Sequence, residues 1–260
     1  MSRVAVVTGA ARGIGAAVVT RLAGAGWRVV AVDRCADLPG VGYPLGTRAD
    51  LDAVVAPWPS TVRAVVADVR SPHALVDAVA LAERDFGGLD AAVAAAAVMA
   101  GGRPLWETTD AEWDALFDTG VHGVLNLARA AVPALLRRPE PRAGRFVALA
   151  SAAAHTGLWH LAGYNAAKHA VVGLVRGLAA DLRGTGVTAT AVSPGSTDTA
   201  MLAATADLYG LSDVGEFATH QLVDRLLTPD EVAAAVCWLC SAESGAVTGS
   251  VLHADGGFLA

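Results

Sequence analysis

The chain has 260 residues, an apolar fraction of 54% and a formal net charge of −6. This composition is sufficient for a large core, and the negative charge argues against nucleic acid or an anionic membrane as a partner. Three cysteines suit a reducing compartment, and the sequence enters its first apolar run without a targeting signal, so we expect a cytoplasmic protein.

Short apolar runs alternate with helical segments along the chain. The runs are continuously apolar, which is typical of strands buried on both faces of a parallel sheet. One helix is expected over 71–86, with Ser71 as its cap. Another is expected after the capping box that begins at Thr228. We predict one α/β domain over residues 1–260 with a doubly wound parallel sheet. The seven strand candidates are 4–7, 28–32, 62–67, 91–98, 145–150, 187–192 and 250–254.

A glycine-rich loop, TGAARGIG, follows the first predicted strand. Gly9, Gly13 and Gly15 permit a tight turn and a close backbone approach, and the next helix offers free N–H groups to a pyrophosphate. A plain strand-to-helix turn is the simpler alternative. The strand before the loop and the helix and second strand after it favour a dinucleotide site.

Acidic residues follow the second and third strands. Asp33 is placed to accept hydrogen bonds from ribose hydroxyls and to repel a 2′-phosphate, which favours NAD over NADP. Arg34 follows directly and weakens that preference. Asp68 is a candidate for the adenine edge and equally a candidate helix cap before Ser71.

Two long excursions interrupt the alternation, one over about 34–50 and one over about 195–227. Long segments at the carboxyl ends of such strands usually cover a ligand. A CxxC spacing, Cys237 to Cys240, lies inside a helical run. Because no second pair or histidine cluster supports a metal site, we interpret these cysteines as core residues and expect no bound metal.

Tyr164 and Lys168 lie four residues apart on a predicted helix, and Ser151 ends the fifth strand. Lys168 is the single lysine beside eighteen arginines. Transfer of a hydride to or from an alcohol carbon needs a proton acceptor or donor on the oxygen, and a cation near a phenol favours the phenolate. A serine hydroxyl can hold the substrate oxygen. The alternative is a buried helix tyrosine beside a solvated cation.

Together TGAARGIG, the Ser151, Tyr164 and Lys168 set, and SPGSTDT (193–199) resemble the short-chain dehydrogenase/reductase family along essentially the whole chain. The resemblance implies a Rossmann-like fold and NAD(P)-dependent oxidoreduction. It implies Tyr164 as acid/base, Ser151 as the group that orients the substrate, and Lys168 as the group that lowers the tyrosine pKa and holds the nicotinamide ribose. The cofactor contacts that it implies, beyond those already named, are Arg12, Ile14, Val69, Pro194, Gly195, Thr197 and Thr199.

The insertion after Asp33, with its YPL…T.ADL pattern, resembles the mycofactocin-dependent subgroup of that family. This resemblance implies that the insertion covers NAD so that it does not exchange, and that mycofactocin reoxidises it. Tyr43 is the residue of interest there. The alternatives are a surface loop on an ordinary member with exchangeable NAD, or an NAD-binding sensor or scaffold with little turnover.

Two departures from the family support the last alternative. The usual NNAG motif reads as alanines at Ala94–Ala97, and Gly120 stands where the family carries a catalytic asparagine. His122 and Asn126 are near in sequence.

For a small-molecule alcohol or ketone, His155, Trp159 and Met201 are the candidate substrate contacts, with packing of the loop or a subunit contact as the alternative. The resemblance also implies a homotetramer.

Overall fold

Seven parallel strands form one sheet in the computed structural model, which describes residues 2–258. The strands are β1 Val4–Thr8, β2 Arg28–Asp33, β3 Val62–Val66, β4 Ala91–Ala94, β5 Arg145–Leu149, β6 Thr188–Pro194 and β7 Val251–Ala254. Their order is β3-β2-β1-β4-β5-β6-β7. The direction of winding therefore reverses between β1 and β4, where sheets of this type open a crevice for ligands.

Within the same range, eight α-helices connect the strands and cover both faces of the sheet. They are α1 Gly13–Gly24, α2 Arg48–Val55, α3 Pro72–Phe86, α4 Asp110–Phe117, α5 Gly123–Leu136, α6 Ala162–Asp181, α7 Ala200–Tyr209 and α8 Pro229–Cys240. A π-helical turn, Asp118–His122, joins α4 to α5. Helices α3 and α8 begin after their caps Ser71 and Thr228, as the sequence predicts.

The core has two layers because successive strand residues point to opposite faces. Val4 and Val6 of β1 pack against the side of α3, α5 and α6, whereas Ala5 and Val7 pack against the side of α1 and α8. Cys240 is buried in the second layer and Cys237 packs beside it. The predicted α/β fold with a seven-stranded, doubly wound parallel sheet is confirmed.

The fourth strand is shorter than predicted, because the chain leaves the sheet at Ala95. The hydroxyl oxygen of Thr8 accepts hydrogen bonds from the N–H groups of Ala95 and Ala96 at 3.2 and 3.3 Å. These two N–H groups therefore bond to the Thr8 side chain of β1 instead of pairing with a neighbouring strand. The strand predicted over 91–98 ends early for this reason.

The second excursion, 195–227, contains α7 and a 3₁₀ turn, Val214–His220. Its ends are fixed by backbone pairing. Leu227 donates to the carbonyl of Ser196 at 2.9 Å, and the N–H groups of Leu222 and Val223 donate to Gly257 and Gly256, each at 3.1 Å. The covering segment is therefore tied both to the end of β6 and to the chain that follows β7. Between residues 2 and 258, no helix has the length and apolar character needed to cross a bilayer.

Candidate active site

A cavity of about 580 Å³ opens at the carboxyl ends of the strands. One half is lined by residues that follow β1, β2 and β3, and we call it the phosphate-loop half. The other is lined by residues that follow β5 and β6 and by α6, and we call it the tyrosine half. The cavity brings together all but one of the predicted site residues, namely Gly9, Arg12, Gly13, Ile14, Gly15, Asp33, Arg34, Asp68, Val69, Ser151, Trp159, Tyr164, Lys168, Pro194, Gly195, Thr197, Thr199 and Met201.

The glycine-rich loop needs its glycines for close packing. A Cβ on Gly9 would lie 2.8 Å from the backbone of Ala96, and a Cβ on Gly15 would overlap the carbonyl oxygen of Gly9. Gly13 has a φ of +57°, a conformation that favours glycine. No side chain among the described residues caps α1, and its first turn carries no acidic residue. The free N–H groups there are suited to an anion.

Asp33 and Arg34 form the wall of the phosphate-loop half beyond β2. The Asp33 carboxylate accepts hydrogen bonds from the N–H groups of Ala11 and Cys35, both at 3.0 Å. Nη1 of Arg34 lies 3.4 Å from the Asp68 carboxylate, and it is buried without a hydrogen-bond partner in the described chain. An unpartnered donor at this position fits a ligand with acceptor atoms.

Asp68 does not cap the helix that follows it. The cap of α3 is Ser71, whose Oγ accepts from the N–H of Ala74, whereas Asp68 accepts from the guanidinium and backbone of Arg70. Burial alone raises the pKa of Asp68, but the hydrogen bonds from Arg70 and the charges of Arg70 and Arg34 outweigh it and lower the pKa. Asp68 is thus an ionised carboxylate on the cavity wall.

Ser151, Tyr164 and Lys168 meet in the tyrosine half, as their positions at the end of β5 and on α6 predict. Ser151 and Tyr164 line the same part of the cavity, and Nζ of Lys168 lies 5.7 Å from the centre of the Tyr164 ring. Nζ also donates to the carbonyl oxygen of Leu149 at 2.9 Å. A hydroxyl, a phenol and an ammonium therefore face one space, which is the set needed for proton transfer at an alcohol oxygen.

The pKa of Tyr164 shifts opposite to the sequence-based expectation. Burial raises the pKa of Tyr164 to about 12, the Ser151 hydroxyl opposes this shift, and the nearby Tyr43 adds to it. Burial lowers the pKa of Lys168 to about 8, since its side chain is only 4% exposed. In the free protein, burial is the largest cause of both shifts.

Gly120 is buried in the π-helical turn between α4 and α5, and a Cβ there would have no neighbour within 4 Å. Neither nearby polar residue replaces the missing amide. Asn126 uses Nδ2 to donate to the carbonyl of Val69 at 3.0 Å, and His122 pairs with Asp118 at the surface at 2.9 Å. The adjacent Thr119 lines the cavity.

The insertion 34–50 lies across the phosphate-loop half. Arg12 donates to the carbonyl of Pro44 at 2.7 Å, and the Tyr43 hydroxyl accepts from the N–H of Met99 at 3.2 Å. Gly46 packs so closely that a Cβ would lie 2.9 Å from the Ala11 side chain. Leu38 packs against Val98 beyond β4. The insertion is therefore attached to both sides of the crevice.

His155 is the candidate that the structure places outside the cavity. Its Nε2 lies 2.8 Å from Oγ of Ser193, and its ring lies 4.6 Å from that of His253. The short 3₁₀ turn after Ser151, Ala152–Ala154, carries His155 past the cavity toward β6 and β7. The prediction of His155 as a substrate contact is thus corrected, whereas Trp159 and Met201 do line the cavity.

Several lining residues had no signal in the sequence. Leu38 and Leu45 come from the insertion, and Phe217, His220 and Phe258 come from the covering segment and the chain after β7. Only the length of the two excursions indicated that residues within them would reach a ligand.

Comparisons with known proteins cover nearly the whole chain. Residues 9–259 match the family model described as enoyl-(acyl carrier protein) reductase. An NAD-dependent oxidoreductase of Mycobacterium tuberculosis strain H37Rv is 36% identical over 269 residues, covering 99% of this chain and 96% of the relative.

Two crystal structures with bound NAD share the fold. Carveol dehydrogenase from Mycobacterium avium superposes with a TM-score of 0.91 at 31% identity, covering 98% of this chain and 96% of that one. A short chain dehydrogenase from Mycobacterium paratuberculosis superposes with a TM-score of 0.88 at 31% identity, covering 98% and 97%.

Proposed function

The chain belongs to the short-chain dehydrogenase/reductase family and is an NAD-dependent oxidoreductase of that type, and on this premise we propose that it interconverts an alcohol and a ketone or aldehyde at Ser151, Tyr164 and Lys168. The observation that carries the proposal is the meeting of these three side chains in a cavity whose other half is a glycine-rich anion site.

The phosphate-loop half fits NAD. The uncapped α1 terminus takes the pyrophosphate, and Asp33 takes the ribose hydroxyls while repelling a 2′-phosphate. The buried, unpartnered Nη1 of Arg34 supplies a donor for the adenosine part. When bound, NAD supplies the hydride acceptor or donor.

Proton transfer falls to the residues of the tyrosine half. In alcohol oxidation, the phenolate form of Tyr164 accepts the proton of the substrate hydroxyl at Oη, and in the reverse direction the phenol returns that proton. Ser151 donates a hydrogen bond to the substrate oxygen as charge develops there. Lys168 uses one N–H on Leu149 and retains two for the ribose hydroxyls of the nicotinamide side.

The reaction is tested by exchanging the phenol. Tyr164→Phe should lower kcat by about 100-fold or more, because general acid–base catalysis contributes at least that much, while bound NAD and the melting temperature stay unchanged. His155→Ala is the matched control, since this exposed imidazole follows the same strand but does not line the cavity. Near-normal turnover of Tyr164→Phe would exclude the assigned acid/base.

We further propose that NAD stays bound between turnovers and that mycofactocin is its reoxidant. The attachments of the insertion support this proposal: Arg12 to Pro44 on one side of the crevice, and Tyr43 to Met99 on the other. For NAD to leave past the insertion, these contacts must break.

Dialysis of the purified protein tests retention. We expect NAD to remain after extensive dialysis, and turnover to need an artificial electron acceptor rather than added NAD. Tyr43→Phe removes the hydrogen bond to Met99 and should speed NAD loss, whereas Arg48→Ala, on the exposed surface of α2, should not. Complete loss of NAD from the wild type would favour an ordinary member of the family with exchangeable cofactor.

A catalytically weak NAD-binding sensor or scaffold is the second candidate, favoured by Gly120 and by the run Ala94–Ala97. It gains support if no alcohol in a broad panel reduces the bound cofactor.

A further inference from the structure

Five aromatic rings border the tyrosine half in an unbroken series, which we call the aromatic wall. It consists of Trp159, Tyr209, Phe217, His220 and Phe258, whose successive ring centres lie 5.8, 6.2, 6.1 and 6.1 Å apart. The rings come from the loop after β5, from α7, from the 3₁₀ turn and from the chain after β7. Segments far apart in sequence thus build one aromatic surface.

Two hydroxyl groups on this side are already used within the protein. The Tyr209 hydroxyl donates to the carbonyl oxygen of Trp159 at 2.6 Å, and the Thr205 hydroxyl donates to that of Met201 at 2.8 Å. The surfaces between them are the side chains of Leu158, Met201 and Leu202. The hydroxyls of Ser151 and Tyr164 remain to meet the substrate at the reacting oxygen.

Charge is distributed unequally between the two halves. Among the described residues that line the cavity, both arginines, Arg12 and Arg34, follow β1 and β2 and lie in the phosphate-loop half. The lysine of the tyrosine half, Lys168, is buried and bonded to Leu149. A carboxyl also lines that side, namely Asp198, which is exposed and would repel an anion.

We infer that the tyrosine half accepts a neutral, apolar alcohol whose single polar group is the reacting oxygen, and that it rejects alcohols carrying a carboxylate or phosphate. This inference rests on the proposed function and names its substrate class. A second polar group on the substrate would be taken from water and placed against a surface made mostly of rings and aliphatic side chains. Rejection therefore comes from desolvation, reinforced by the charge of Asp198.

Two alcohols of nearly equal size separate the classes, cis-4-methylcyclohexanol and cis-4-hydroxycyclohexanecarboxylate. With the NAD-loaded protein near neutral pH, kcat/KM for the neutral alcohol should exceed that for the anion by roughly 100-fold or more. Equal values, or a preference for the carboxylate, would overturn the inference.

Binding without turnover keeps this test separate from the proposed reaction. In Tyr164→Phe protein with bound NAD, calorimetry should show 4-methylcyclohexanone binding at least about tenfold tighter than 4-oxocyclohexanecarboxylate. That result supports the substrate class even if neither alcohol is oxidised, in which case only the proposed reaction fails. Binding of neither ketone, or tighter binding of the carboxylate, would contradict it.

A cation placed in the cavity should reverse the selectivity. Met201→Arg is expected to shift the binding ratio of the two ketones by at least about tenfold toward the carboxylate. Val76→Arg is the matched control, because Val76 is exposed on α3 and does not line the cavity. An unchanged ratio in Met201→Arg would count against desolvation as the cause of rejection.

Discussion

Lys168 carries its positive charge at a position where the fold disfavours it. The side chain is 4% exposed, its hydrogen bond goes to a backbone carbonyl, and burial lowers its pKa to about 8. Compared with the unfolded value of 10.5, this shift corresponds to a cost of roughly 3 kcal/mol for keeping the ammonium at neutral pH. A compact ammonium with free N–H groups is kept there at the expense of stability, as is common at functional sites.

Replacing this ammonium should stabilise the nucleotide-free protein while abolishing turnover. Near neutral pH we expect Lys168→Met to be more stable than the wild type by about 2 kcal/mol, since the lost hydrogen bond to Leu149 returns only about 1 kcal/mol. The folded pKa of about 8 lies below the unfolded 10.5, so wild-type stability rises with pH across that window and the advantage shrinks. Denaturant unfolding at several pH values measures both effects, and a less stable variant at neutral pH would contradict them.

Gly120 and Gly123 lie three residues apart and should respond oppositely to the same change. A Cβ on Gly120 meets no atom within 4 Å, so Gly120→Ala should stabilise by about 0.5–1 kcal/mol through reduced chain entropy. A Cβ on Gly123 would lie 2.7 Å from Cγ2 of Val69, so Gly123→Ala should destabilise. The melting temperatures of the two variants test this difference. Equal shifts in melting temperature would show that the backbone of the turn moves to accommodate either Cβ.

At the scale of single residues, spacing along the sequence predicted which side chains share a helix face. It did not predict how deeply those side chains are buried. Tyr164 and Lys168 are four residues apart in a helix, so their shared face could be predicted. The direction of their pKa shifts depends on how much water the surrounding chain excludes, which spacing does not encode. His155 is four residues from Ser151, yet a single 3₁₀ turn directs it away from the cavity.

Among the elements, α8 is held at its C-terminal end by a residue of β5. Arg145 is 3% exposed, and its guanidinium donates to the carbonyl oxygens of Ser241, Gly144 and Ala242 at 3.0, 3.0 and 3.4 Å. A cation at this end complements the helix dipole and satisfies carbonyls that follow the last turn. The planar fork of arginine holds its donors in fixed directions toward several carbonyls, whereas the ammonium of lysine is a compact point charge with a different reach.

Arg145→Lys should therefore cost about 2–4 kcal/mol of stability although the charge is kept, because charge-assisted hydrogen bonds are lost in a buried site. Arg48→Lys on the exposed surface of α2, where Arg48 pairs with Asp52, should change stability by less than about 0.5 kcal/mol. Guanidinium unfolding of the two variants provides the comparison. A cost at position 145 no larger than at position 48 would show that water replaces the lost bonds.

Element boundaries could be predicted where a local signal marked them. Ser71 and Thr228 accept from N–H groups in the first turns of α3 and α8, as their sequence patterns indicate. The end of β4 could not be predicted, because it is determined by the hydroxyl of Thr8 on a neighbouring strand. Helix α7 was also missed, although Thr199 caps it, since its apolar residues show no periodic pattern.

For the molecule as a whole, the order of strands in the sheet determines the position of the active-site crevice. Because β1 and β4 adjoin at the reversal of winding, residues after β1 and β2 face residues after β5 and β6 across one crevice. Alternating apolar runs and helices were sufficient to predict a doubly wound parallel sheet, but not the order of its strands. The closure of the crevice by 34–50 and 195–227 could be anticipated only from their length.

The insertion has a consequence for the order in which reactants meet the protein. It lies across the phosphate-loop half, whereas Trp159 of the aromatic wall is 69% exposed at the other half. If NAD stays in place, the alcohol and the electron acceptor must occupy the same half in turn, and each excludes the other.

We therefore expect double-displacement kinetics. Initial rates at several alcohol concentrations should give parallel lines in double-reciprocal plots, and excess alcohol should inhibit competitively against the acceptor. Intersecting lines would mean that both reactants are bound together, and the two would then need separate routes to the nicotinamide.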